Sequence, residues 1–163
     1  MAGYGTDDGF TAWLASNGFP APTGVLTVAQ LRQRGSDYID ALYGAQFPGS
    51  PVDAFDQERA WGRTGATAYG RAIPEGYIPN NIILASYHAA RHEDLNPGSL
   101  SVSATAAGAV KREKIDVIET EYFAGSGQAA SDATVRLSAV EGLLAPFLTA
   151  ESTGPCLGLW AVG

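Results

Sequence analysis

Charge is scarce in this chain, and positive charge is scarcest. Charged residues are 17% of the 163 positions, and seventeen acids against ten bases leave a formal charge of −7. An average domain carries about a quarter charged residues. Lys111 and Lys114 are the only lysines. That composition excludes a generally basic nucleic-acid binder, because neutralising phosphates takes clustered Lys and Arg. Cysteine is nearly missing as well. Cys156 stands alone, so no intrachain disulfide can form and no oxidising compartment is required. Long apolar runs are absent: a stretch such as Ile82 to Ala85 falls far short of the roughly 18 residues of a membrane span. The opening MAGYGTDDGF has neither the basic nor the apolar region of a secretory leader, so none is expected. Internal repeats and low-complexity tracts are also lacking. The expectation is a soluble protein made in a reducing cytoplasm, with no membrane partner.

What is present suits one domain with a sizeable core: 45% of residues are apolar. Twenty Gly and nine Pro predict several long loops or arms. Thr6 can cap a first helix, with Asp7 and Asp8 in its opening turn and Phe10, Trp13 and Leu14 on one face. Thr27 precedes the clearest helix, whose Val28, Leu31, Gly35, Tyr38, Ile39 and Leu42 are one-sided. Gly44 ends it, and Gly35 in its middle points to a close helix crossing. Residues 45–80 read as loop, with a short helical stretch around Asp53 to Trp61. A third helix starts at Pro79 and fades near Asp94. From Ser99 to Phe123 the period becomes that of strands, with a loop near Ala106 to Gly108. A fourth helix is expected over 132–148, with Leu137, Val140, Leu144, Phe147 and Leu148 on its apolar face. The final ESTGPCLGLWAVG is apolar and Gly-rich, unlike a frayed terminus, and calls for a partner surface.

The fold class expected is therefore mainly α. It is a small bundle of about four helices with a strand-rich extended arm or β-hairpin and an apolar tail. Its parts are a helical body over 4–95 and 129–150, an arm over 99–124 and a docking tail over 151–163, all within a single domain 1–163.

No catalytic constellation assembles. His88 and His92 are spaced as a zinc pair on a helix, but the Glu of an HExxH motif is replaced by Ala89, and a solvated polar face explains them better. Residues 125–130, GSGQAA, match GxGxxA between a strand-like run and a helix. No strand with an acidic end follows about 20 residues on, so a hinge is the better reading. Cys156 lies in apolar surroundings that raise a thiol pKa, far from either histidine. Asp53, Asp56 and Glu58 form a small acidic group that suits a solvated turn. No enzyme activity, metal or cofactor is expected.

The most unusual charge feature is the arm. Lys111, Arg112 and Lys114 are followed at once by Asp116, Glu119 and Glu121, with Tyr122 next. A solvated strand edge is one explanation. The other is head-to-tail pairing between subunits, a heterologous contact of the kind that closes rings.

Several stretches together resemble a known family. They are LRQRGSDYIDALY at 31–43; Gln57, Trp61, Arg63 and Gly65 in a Gln-x-x-x-Trp-Pro-Arg-x-Gly pattern, with Gly62 in place of Pro; Ile73-Pro74 and Ile78-Pro79 leading into a helix with Ala85 and Ala89; VKREKIDVIETEY at 110–122; and LLAPFL at 143–148. Over roughly 4–150 the chain resembles phage neck proteins often labelled DnaT-like single-stranded-DNA-binding proteins, and more broadly the head-tail connector (adaptor) proteins of tailed phages.

The resemblance implies a non-enzymatic virion-neck protein, made in the bacterial host cytoplasm. It implies a ring of about twelve copies under the portal that extends the DNA channel and offers a platform for the tail. Its expected partners are further copies of itself, the portal, a tail-side neck protein (stopper or tail terminator) and passing double-stranded DNA bound without sequence specificity. Lys111, Arg112, Lys114, Asp116, Glu119, Glu121, Tyr122, Leu157, Leu159 and Trp160 are the expected subunit or portal interface. The alternative is a replication-associated single-stranded-DNA binder, for which seven Tyr, six Phe and three Trp could serve as stacking platforms.

Overall fold

The computed structural model describes residues 3–101, 113–115, 118–120 and 134–149. Residues 125–130, Lys111, Arg112, Asp116, Glu121 and Tyr122, and the tail with Cys156, Leu157, Leu159 and Trp160, together with what is expected of them, lie outside these. Four α-helices and short antiparallel strands form a small, mainly helical fold with a strand-containing arm.

Helix α1 (Asp7–Ser16) is capped as its sequence predicts, the Thr6 hydroxyl accepting the Gly9 N–H at 3.0 Å. Helix α2 (Val28–Tyr43) opens with a reciprocal box. Thr27 Oγ1 accepts the Gln30 N–H at 3.2 Å, and Gln30 Oε1 accepts the Thr27 N–H at 2.9 Å. Helix α3 (Asn80–Leu95) follows Pro79, whose missing N–H costs nothing there. Gly35 marks the α2–α3 crossing. A Cβ at that position would stand 2.7 Å from the Ala90 amide nitrogen and closer still to the Ser86 carbonyl oxygen. Helix α4 (Ser138–Leu144) closes the body, with Val140 and Leu144 fully buried. Tyr38 Oη donates to the Val135 carbonyl at 2.8 Å, and Asn81 Nδ2 to the Leu143 carbonyl at 3.3 Å. The main core gathers Tyr38, Ile39, Trp61, Ile82, Ala85 and Phe147, among others, between these helices. A second cluster joins Phe10 and Leu14 of α1 to Leu31 and Tyr87.

Four expectations need correction. The helical stretch over Asp53–Trp61 is only a 3₁₀ turn, Ala54–Asp56. Ala54 adopts φ +47, and the Gln57 side chain takes the Val52 and Asp53 N–H groups that a helix would use. No strand begins at Ser99. Residues 97–101 are turn and bend, because Glu93 reaches out of α3 to accept the Gly98 and Leu100 N–H groups. Residues 113–120 do not run on as one strand: β5 (Glu113–Ile115) pairs antiparallel with β6 (Ile118–Thr120), while the expected loop at 106–108 lies outside the described residues. The fourth helix is shorter than 132–148: residues 134–137 are non-helical, and Ala145–Phe147 is a 3₁₀ turn around Pro146.

Between α2 and α3 the irregular segment is more ordered than its composition suggests. Strand β1 (Ser50–Pro51) pairs with β2 (Arg63–Thr64), and β3 (Thr67–Ala68) with β4 (Arg71–Ala72). Tyr69 (φ +52) and Gly70 (φ +71) make the two-residue turn of the second hairpin. Gly62 has φ +106, which proline cannot adopt.

Candidate functional site

The residues of the Gln57–Gly65 stretch are structural. Gln57 Nε2 donates to the Arg59 carbonyl at 2.6 Å while its Oε1 gathers the Val52 and Asp53 N–H groups. Trp61 is buried, and its indole N–H reaches the Tyr77 carbonyl at 2.8 Å. Arg63, also buried, donates to the carbonyls of Pro48, Ala60 and Gly49 at 2.7–2.8 Å.

Arg59 and Tyr4 extend this system into a buried polar cluster that periodicity gave no reason to expect. Arg59 bonds Asp37 at 2.7 Å and Asp40 at 3.1 Å. Tyr4 Oη donates to Asp40 Oδ1 and accepts the Trp61 N–H at 2.9 Å. Burial, reinforced by the Asp40 charge, pushes the Tyr4 hydroxyl far above its ordinary pKa. Burial also raises Asp40, with the Tyr4 and Arg59 bonds pulling the other way. Arg32 bonds Asp7 at 2.8 Å and the Gly5 carbonyl at 2.8 Å, and also donates to the Gly3 carbonyl. Beside these groups lies an open cleft of about 290 Å³, lined by Tyr4, Arg32, Arg59, Trp61 and Ile78 among others.

The remaining described arginines are mostly engaged too. Arg34 pairs with Glu93 at 2.6 Å and Arg136 with Glu141 at 3.2 Å. The Arg91 guanidinium lies 3.8 Å from the centre of the Phe19 ring. The Arg71 side chain alone has no hydrogen bond, ion pair or ring contact among the described residues, and it is exposed.

The histidines do not converge on a ligand set. His88 packs edge-on to Trp13, 4.8 Å between ring centres, and burial with nearby Arg91 pushes its pKa down. Among the described residues no group of three His, Cys, Asp or Glu is placed so that it could hold a metal ion. No described helix is long and apolar enough to cross a membrane.

Of the arm, the structure places Lys114 directly opposite Glu119, with Glu113 opposite Thr120 and Ile115 opposite Ile118. Lys114 and Glu119 thus lie on adjacent strands. The fold also exposes apolar side chains that the sequence reading did not single out: Val25, Phe55, Tyr69, Tyr77 and Leu95. Tyr69 and Tyr77 flank strand β4 and Arg71. Phe55 falls between acidic residues with no periodic apolar neighbour, which is the one signal that could have marked it as unburied.

Comparison with known proteins returns one family. The model of the DnaT-like ssDNA binding protein family matches residues 3–162. That description names single-stranded DNA and says nothing of a virion neck. Neither a curated protein nor a solved structure matches the chain.

Proposed function

Since the chain belongs to the DnaT-like single-stranded-DNA-binding family, an assembly subunit and a DNA binder are the two readings to weigh, and we propose the first. In this reading the protein is a non-enzymatic head-tail connector subunit. It forms a ring under the portal, extends the DNA channel and carries the tail-side neck protein. The observation that carries it is the placement of positive charge. In a chain of net charge −7, every described arginine except Arg71 is held by carboxylates, carbonyls or an aromatic ring. Gripping a phosphate backbone requires free cations that release counterions. A channel wall past which DNA slides is better served by their absence. The sequence resemblance to phage neck proteins supplies the rest of the reading.

The family description itself favours the second reading, a single-stranded-DNA binder. One structural observation joins it: Tyr69, Arg71 and Tyr77 are exposed within one short segment, and aromatic rings beside a cation can stack bases. The deciding experiment is the copy number of this chain in purified particles, by quantitative mass spectrometry against the major capsid protein. About a dozen copies is the expected outcome for a closed ring. Absence from the particle overturns the connector reading in favour of the DNA binder.

A further inference from the structure

Two arginines line the cleft beside the N-terminal segment, and neither spends all of its donors. The Arg32 side chain is 6% exposed and that of Arg59 7%. A guanidinium carries five N–H donors. Arg32 gives Nε to Asp7 and Nη1 to the carbonyls of Gly3, Tyr4 and Gly5. Arg59 gives Nη1 to Asp37 and Asp40. Nη2 of each arginine, and Nε of Arg59, have no acceptor among the described residues. Arg59 Nε is sealed from solvent, but neither Nη2 is. The cleft is thus lined by two nearly buried cations with donors to spare.

Tyr4, Trp61 and Ile78 give the same cleft apolar walls. Its volume of about 290 Å³ lies at the lower end of small-ligand pockets, roughly 300–1,000 Å³. That suits one side chain with its peptide groups rather than a folded surface. An anion is a poor fit. Asp7 lines the cleft too, and Asp37 and Asp40 hold Arg59, so three carboxylates stand against two guanidiniums. A neutral acceptor meets the spare donors without that repulsion. Arg32 already holds backbone carbonyls, and Arg63 holds three more at 2.7–2.8 Å. A main-chain carbonyl is therefore the acceptor that this fold pairs with its buried guanidiniums.

We infer that this cleft binds an uncharged, extended peptide segment of a partner protein. One apolar side chain enters beside Trp61 and Ile78, and main-chain carbonyls accept from Nη2 of Arg32 and of Arg59. Hydrogen bonds from a charged donor run about twice as strong as neutral ones. The inference goes beyond the connector reading and does not rest on it.

The test is an NMR titration of the isotope-labelled full chain. The probes are acetyl-Gly-Leu-Gly-amide, its acidic analogue acetyl-Gly-Asp-Gly-amide, and inorganic phosphate. The expected result is a saturable shift of the Gly3, Gly5 and Trp61 amides with the leucyl peptide, which binds at least tenfold tighter than either anion. The amide of Gly142, which does not line the cleft, is the control and stays in place. Either anion binding within tenfold of the leucyl peptide makes the cleft an oxyanion site and overturns the inference. No shift with any probe, or an equal shift at Gly142, overturns it as well. Ile78→Ala, whose own spectrum reports whether it folds, is expected to weaken the leucyl peptide at least threefold. Unchanged affinity in a folded Ile78→Ala overturns the placement of the side chain, and with it the inference.

Discussion

The Tyr4 hydroxyl lies 2.5 Å from Oδ1 of Asp40, thirty-six residues along the chain. The same hydroxyl accepts the Trp61 N–H, and the same carboxylate takes Arg59. One buried point therefore ties the N-terminal segment to α2 and to the long connection before α3. Tyr4→Phe keeps the ring and removes the hydroxyl, leaving a buried N–H and a carboxylate short of a partner. A loss of about 1–3 kcal/mol is expected, read as a lower urea midpoint at unchanged slope. An unchanged midpoint would show that water replaces the hydroxyl without cost.

Gly35 and Gly142 make a matched pair. Both are helical, but a Cβ at Gly142 meets nothing within 4 Å, whereas at Gly35 it runs into the α3 backbone. Gly142→Ala is expected to stabilise by about 0.5–1 kcal/mol through helix propensity. Gly35→Ala gains the same propensity and still loses about 1–3 kcal/mol net, because the helices must separate. Thermal melts of the two variants should move in opposite directions.

Glu93 and Asp40 respond to acid in opposite senses. Burial works against the Glu93 carboxylate, but the Gly98 N–H, Arg34 and the Leu100 N–H outweigh it and hold its pKa below 4.5. Its stabilising contribution is complete above that value and is lost as pH falls through the lowered folded value. Asp40, raised above 3.8 by burial, favours the folded state more as pH falls. Glu93→Gln should therefore flatten the loss of stability below pH 4.5. Urea titrations across that range check it, and an undiminished acid loss in Glu93→Gln would assign the effect elsewhere.

On oligothymidine, the connector reading expects weak binding at physiological salt and little change in Arg71→Ala or Tyr69→Ala. Fluorescence anisotropy at two salt concentrations separates the readings. Tight, salt-sensitive binding that falls in both variants would locate a DNA site on the β3–β4 turn.

The Lys114–Glu119 register yields a charge-exchange experiment. Lys114→Glu sets two acids across the hairpin, where an opposite pair is worth about 0.2–1 kcal/mol. Self-association should fall in the single variant and recover when Glu119→Lys is added. Normal assembly by Lys114→Glu alone, measured by mass photometry, would remove the hairpin from the interface.

Much of the helical body was legible in the sequence, because the signals were local. Thr6, Thr27 and Pro79 announce helix starts through side-chain or backbone chemistry within one turn. The spacing of Leu31, Tyr38 and Ile39 marks a buried face, and Gly35 signals a close crossing before its partner is known. Local pattern misled where a distant or competing group claimed the backbone. Ser99 and Leu100 alternate like a strand, yet Glu93 folds them into a turn. Asp53 to Trp61 looks helical, yet Gln57 diverts its donors.

Only the tertiary structure decided which charges are available to a partner. Folding encloses Arg32, Arg59 and Arg63 among carbonyls and carboxylates from other segments. Phe55 is left outside because its loop is fastened with the ring outward. Net charge and helix boundaries follow from composition and near neighbours. The distribution of free charge and exposed ring depends on contacts between residues far apart in the chain, which no local pattern encodes.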